Sequence, residues 1–260
     1  MGNGSNQLSH LPMPPWWEAA RKSSIEKRNA AQKSAFGKIA SAANEADQKA
    51  AMSELGKHEK VLAEEFERQN NAAAFAPGVG LNLAGSAADQ QAFLDMVRRE
   101  MARSKSFHDL MMAINSDAAH PVHIELYPQN TLQVFDAFFG YGAQGVDMVD
   151  FAQLPVDPPP GRPEAMTQGE NLAHSMAEAQ AGTRLQMIKE RAYPLAHADG
   201  ITAGNAYRLD RGQQSARSSE VVSGLQITFD YEAGGKTIYR ETVTRDQAGN
   251  VTGVSGKNVP

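Results

Sequence analysis

The stretch Pro163–Gly182, PEAMTQGENLAHSMAEAQAG, carries its polar chemistry along one line of a helix. Pro163 opens it and Gly182 closes it, the asymmetry that predicts a helix between them. Glu170, His174 and Glu178 lie four residues apart, so their side chains stack on one helical face. A carboxylate and an imidazole at that spacing can point at a single metal ion.

Just upstream lies the Pro-rich turn PVDPPPGRP, and before it Val146–Leu154, VDMVDFAQL, whose alternation predicts a strand. Asp147 and Asp150 would point to opposite faces of that strand and so cannot form an acid/base pair. Pro121–Tyr127, PVHIELY, is a β-branched, alternating strand, and Leu132–Phe139, LQVFDAFF, is a further candidate. Downstream of Gly182, helical character resumes through Leu185 and Ile188, and Pro194 is expected to interrupt it. Leu195–Arg217 reads as a short helix followed by polar loop. Gly224–Tyr231 and Thr237–Thr244 alternate strictly about EAGGK and predict a β-hairpin, with a weak last strand at Val251–Val254.

The N-terminal part differs. Residues 1–15 are polar and Pro-rich and predict disorder, ending at the adjacent pair Trp16 and Trp17, which suits an anchor on another surface. From Trp17 to Ala74 the chain is rich in strong helix formers, with a break near Gly37–Ser41 that predicts two helices of roughly 20 and 30 residues. Its apolar positions, Ile25, Phe36, Ile39, Leu55, Leu62 and Phe66, make a stripe too thin for a buried helix, so a solvated hairpin or arm is expected. Phe75–Ser86 reads as a linker without the glycine pattern of a phosphate-binding loop. Ser86 caps a helix with Phe93, Met96, Val97 and Met101 at helical spacing, and Ser106–Asn115 forms another. The expected organisation is a leader over 1–15, a helical arm over 16–84, a main domain over 85–220 and a β-hairpin tail over 221–260. The fold class is α+β.

Composition narrows the function classes. The 260 residues carry a formal net charge of −5, which argues against a dedicated nucleic-acid binder. The absence of cysteine excludes disulfides, thiolate catalysis and Cys-based zinc sites. No apolar run approaches a membrane span. The first residues lack the basic start and apolar core of a signal peptide, so the expected localisation is secretion by another route, or the cytoplasm before delivery.

The run VDMVD (146–150), the Pro-rich turn, ENLAHSMAEA (170–179) and then AHADGITAGNAYR (196–208) resembles the core of bacterial toxin and effector metallopeptidases of the zincin type. The resemblance spans roughly Pro121 to Arg217. It implies a zincin-like domain in which an edge strand holds an extended protein or peptide substrate and the helix presents zinc. The usual motif there is HExxH. In one register, Glu170-Asn171-Leu172-Ala173-His174 takes its place. In the preferred register, His174-Ser175-Met176-Ala177-Glu178 corresponds to an HExxE variant. His174 and Glu178 are then zinc ligands, and His197 or Asp199 completes a three-ligand set that leaves a position for water. Ser175 falls where the general-base glutamate belongs and cannot accept a proton from a metal-bound water as a carboxylate does. Tyr207 is implied as a transition-state donor.

Plainer readings stand beside these. His174 with a glutamate one turn away is also the pattern of an ordinary surface pair, and His197 that of a satisfied turn residue. His120, His123 and Glu125 form a second, weaker grouping. Asn205, Tyr207, Arg208, Arg211 and Arg217 make a polar patch that can simply pair with local carboxylates. The expectation is a secreted effector or toxin with a zinc metallopeptidase-like domain that lacks its general base. One alternative is a non-enzymatic interaction or delivery protein whose helical arm binds a secretion chaperone or carrier. Another is a transferase using the Arg and Glu residues around Arg208 and Glu220.

Overall fold

A computed structural model describes residues 15–127, 143–147, 154–185, 189–247 and 251–259. Among them are six helices and seven strands in a mixed α+β arrangement. No described helix is long and apolar enough to cross a membrane. The chain divides into two compact units, Met1–Phe75 with Met101–Arg103, and Ala76–Glu100 with Ser104–Pro260.

The first unit is built on α1 (Pro15–Ala40) and α2 (Glu45–Ala74). Asn44 caps α2 by accepting from the Asp47 N–H. Ser24 pairs with Glu65 (2.6 Å), Gln32 with Glu59 (2.7 Å) and Lys38 with Glu54 (2.8 Å), so the helices run antiparallel. Their seam is mostly small, with Ala35, Ala51, Leu62 and Ala72 buried. Small residues let the backbones approach without a wide apolar stripe, which is how the sparse patterning of this segment still yields a hairpin.

The second unit begins with a segment that the sequence suggested was linker. Leu81–Ala84 is a strand, β1, the edge of a parallel sheet ordered β1-β2-β3 with β2 at Val122–Tyr127 and β3 at Ala143–Asp147. Two helices cross over from β1 to β2: α3 (Ala87–Arg103), capped by Ser86, and α4 (Lys105–Ser116), capped by Ser104. Gly80 is required where β1 starts, because a Cβ there would stand 1.9 Å from the Ile114 carbonyl oxygen. Val122, Ile124 and Leu126 face inward while His123 is exposed, the alternation expected of a half-buried strand. The expected strand at Leu132–Phe139, Asp150 and most of VDMVDFAQL lie outside the described residues.

After the Pro-rich turn come α5 (Gln168–Leu185) and α6 (Lys189–Asp210). Helix α5 starts five residues later than Pro163 predicts. Residues 162–165 form a turn closed by the Ala165 N–H on the Arg162 carbonyl, and the Thr167 hydroxyl accepts from the Glu170 N–H at the true N-terminus. Gly182 does not end the helix; it is a buried interior residue. Pro194 does not break the chain either. It sits within α6, five residues after Lys189, where it removes one bond to the carbonyl four residues back and crowds that carbonyl, yet the helix continues to Asp210.

The expected C-terminal hairpin is the centre of a larger sheet, β4-β5-β6-β7, a four-stranded antiparallel meander over Ala216–Ser223, Gln226–Ala233, Lys236–Arg245 and Val251–Asn258. Gly234 (φ +59°) and Gly235 (φ +76°) form the two-residue turn between β5 and β6, a conformation side-chain-bearing residues rarely adopt. Ile227, Phe229, Tyr231, Tyr239 and Val243 pack from this sheet onto Leu154, Ala165 and Met166 just ahead of α5. The C-terminal strands are thus part of the core that holds the helix, not a tail.

Candidate metal centre

Every residue from Gln168 to Gly182 is buried, although more than half of them are neither aliphatic nor aromatic. A helix buried all round must satisfy its polar groups inside, and two of the carboxylates of α5, Glu170 and Glu178, find their partners on α6. The two helices run antiparallel, with Glu170 beside Arg208 and Glu178 beside His197. Glycines permit the close approach. A Cβ on Gly200 would lie 3.0 Å from the His174 ring and from its backbone oxygen, and one on Gly169 would lie 2.1 Å from the Tyr207 hydroxyl.

His174 and Glu178 from α5 meet His197 from α6. The Glu178 Oε2 lies 2.9 Å from His174 Nε2 and 3.1 Å from His197 Nδ1. The rings meet edge to face with centroids 4.9 Å apart, and Tyr193 stacks on His197 at 5.1 Å. One ligand atom from each of the three residues lies within 4.8 Å of the others. Ligands of a tetrahedral ion with bonds of 2.0–2.1 Å stand about 3.3 Å apart, so the set is within a few tenths of an ångström of that spacing at two of its contacts. The three residues that the HSMAE register singles out are therefore brought together.

Burial drives the pKa of His174 down and leaves it neutral, the form that can bind a metal. Burial pushes the Glu178 carboxyl up, but hydrogen bonds and charge from His174 and His197 outweigh it and hold the group at about 2. Glu178 is thus an ionised acceptor between two imidazoles. His174 Nδ1 is buried against α6 and has no hydrogen-bond partner among the described residues.

On its far side His197 faces a second carboxylate: Nε2 lies 3.5 Å from Glu220 Oε2, on β4. Arg217 bonds that same oxygen and lays its guanidinium over the Phe229 ring at 4.4 Å. Asn205 of α6 brackets the Arg217 backbone, accepting from its N–H (2.6 Å) and donating to its carbonyl (3.1 Å).

The other predicted residues fall elsewhere. Ser175 is buried, but consecutive helical residues are turned by about 100°, so its short side chain does not share the face of His174 and Glu178. Tyr207 does not join the cluster. It is ten residues, or about 15 Å of helix, beyond His197, and its buried hydroxyl donates to Glu100 at 2.5 Å. Asp199, the alternative third ligand, lines an open groove of about 700 Å³ between α4, α5 and α6 instead, with Phe107, Ala173, Ala177 and Arg184. His120 pairs with Asp117 at 3.3 Å. Arg211 pairs with Asp157 at 3.0 Å.

Glu170, the first position of the other register, belongs to a separate buried network. Arg208 is fully buried and uses its whole fork: Nε donates to the Ser215 carbonyl (2.9 Å), one terminal nitrogen to Glu170 (2.7 Å) and the other to Glu164 (2.8 Å) and the Ser215 hydroxyl (2.7 Å). It also lies 4.1 Å over the Tyr231 ring. Nearby Glu241 accepts from the Met166 N–H at 2.7 Å, and burial pushes its carboxyl up to about 7. Arg208 and Glu220, the two residues of the transferase alternative, lie in separate contacts, Arg208 with Glu164 and Glu170 and Glu220 with Arg217 and His197. The arginines of this patch thus pair with carboxylates, the plainer of its two readings, while the parts played by Glu164, Ser215 and Glu241 carry no signal in the sequence.

No family model matches the sequence, and neither a curated protein nor a solved structure matches the chain.

Proposed function

We propose that this chain is a metalloprotein of the zinc-metallopeptidase type, with its ion held by His174, Glu178 and His197 and with its general base missing at Ser175. The observation that supports it is the convergence of two imidazoles and one ionised carboxylate, from two helices, within 4.8 Å. Two histidines and a glutamate with an open fourth position are a ligand set used by zinc hydrolases. A water on such an ion is acidified, and a polarised peptide carbonyl is the matching substrate class. With serine in place of glutamate, little hydrolysis is expected, and a delivered effector acting on a protein substrate is the biological setting the sequence resemblance favours. Calorimetric titration of the EDTA-stripped chain tests the reading: one zinc per chain for the wild type and none for His174→Ala supports it, and no zinc uptake by the wild type overturns it.

A second reading, a non-enzymatic interaction protein in which the cluster is a metal-free polar clasp, is favoured by one observation. A metal-bound histidine nearly always donates its other N–H to an acceptor, and His174 Nδ1 has none among the described residues. Under that reading the function lies with the α1–α2 hairpin, where Ile25, Phe36, Met52 and Val61 are exposed.

A further inference from the structure

We infer that Glu220 is the positioning residue of this centre: it takes the proton of His197 Nε2 as its hydrogen bond and so fixes which ring nitrogen of His197 meets the ion. The inference rests on the metal-binding reading above and adds a residue from the C-terminal sheet to a site otherwise made by two helices.

Each ring nitrogen of His197 faces its own carboxylate. Its Nδ1 is the nitrogen beside Glu178, and its Nε2 the nitrogen beside Glu220. The two ring nitrogens point away from each other, so Glu178 and Glu220 cannot bind one ion together with this ring. When Nδ1 lends its lone pair to the ion, the ring proton sits on Nε2 and faces Glu220. A carboxylate behind a metal-bound imidazole holds the tautomer, aims the ring and raises its basicity.

Glu220 is itself aimed. In a regular strand, residues three apart point to opposite faces, yet Arg217 and Glu220 bond each other. The register of β4 against β5 shifts between Arg217 and Ser219, and a bulge of this kind inserts one residue and turns the following side chains to the other face. Asn205 clamps the strand at the bulge from α6, the same helix that carries His197. Glu220, at 3.5 Å, is thus delivered to the outer nitrogen by a local irregularity whose backbone is tied to the ligand's own helix.

The test compares zinc affinity of the stripped full-length chain, by competition with a chromogenic chelator, for the wild type, E220A, E220Q and H174A. Nitrogen-15 NMR of the zinc-loaded wild type then reads the His197 tautomer. E220A is expected to bind zinc about 10- to 100-fold more weakly. E220Q should stay near wild type, because its amide oxygen still accepts from Nε2. The NMR should place the His197 proton on Nε2. Wild-type affinity in E220A, or a His197 proton on Nδ1, overturns the role of Glu220 while zinc binding that is lost in H174A leaves the metal centre standing. A wild type that binds no zinc overturns both. If E220A does not fold, the tautomer in the wild type decides.

Discussion

His174 and His197 stand edge to face with their centroids 4.9 Å apart, one from each of two antiparallel helices, and share a single oxygen of Glu178. Gly200 makes this possible, since a side chain there would press on the His174 ring. A neutral buried imidazole, an ionised carboxylate and a second imidazole braced by Glu220 are the ingredients of a preformed three-ligand site.

The fit between the helices predicts the effect of filling that gap. Gly200→Val should displace His174 and its backbone, with an overpacking cost of about 1–3 kcal/mol. Chemical denaturation measures the stability change, and zinc affinity should fall with it. Unchanged stability and affinity would mean that the two helices are not in close contact at Gly200.

Arg208 predicts a different kind of loss. It is fully buried against Glu164 and Glu170, and removing one partner of a buried ion pair costs about 3–5 kcal/mol because the remaining charges are stranded. Arg208→Ala should unfold at much lower denaturant concentration. Arg208→Lys should recover little, because an ammonium cannot reproduce the fork that spans Glu170, Glu164 and Ser215.

Glu241 predicts a pH dependence. Its folded carboxyl is pushed up by burial to about 7, above the ordinary 4.5, so the native state binds the extra proton between those values. Stability contributed by this group is therefore greatest below about 4.5 and declines as pH rises toward 7, by an amount on the order of 3 kcal/mol. In Glu241→Gln this decline should disappear. Denaturant melts of both proteins across pH 4.5–8 check it, and parallel profiles would contradict it.

Ser175→Glu addresses the proposed chemistry. A carboxylate one residue after His174 is long enough to reach round the helix toward the ion, and general bases contribute about 10²–10⁴-fold. Zinc-loaded S175E should cleave a peptide library faster than the zinc-loaded wild type. Equal rates at full zinc occupancy would count against metallopeptidase ancestry.

Local signals made much of this fold legible. Ser86 before Phe93, Met96 and Val97 marked α3, and the strict alternation of GLQITFDY and TIYRETVT about two glycines marked β5 and β6. The i,i+4 spacing of His174 and Glu178 placed two members of the cluster, and the need for a third ligand pointed to His197 or Asp199, of which the structure brings in His197, though not through a break at Pro194. Other features depend on tertiary context. Pro163 and Gly182 carry boundary signals that the turn at 162–165 and the packing against α6 override, and Pro194 is tolerated near the start of a helix. The loop expected up to Arg217 runs into the start of strand β4, whose mostly exposed residues give little apolar alternation, and Arg217 and Glu220 share a face through a bulge that no periodicity reveals. Arg208 pairs with carboxylates, the plainer reading of its patch, but the burial of the pair and the identity of Glu164 and Glu170, which precede it by a whole helix, are set by tertiary packing.

The most direct measurement is an anomalous difference map, collected at the zinc absorption edge, from crystals of the zinc-loaded chain. A single peak bonded to His174 Nε2, Glu178 Oε2 and His197 Nδ1, at about 2.0–2.2 Å from each, is the predicted result. A map with no peak there, or with zinc bound elsewhere while the three side chains keep their hydrogen bonds to one another, would contradict the account.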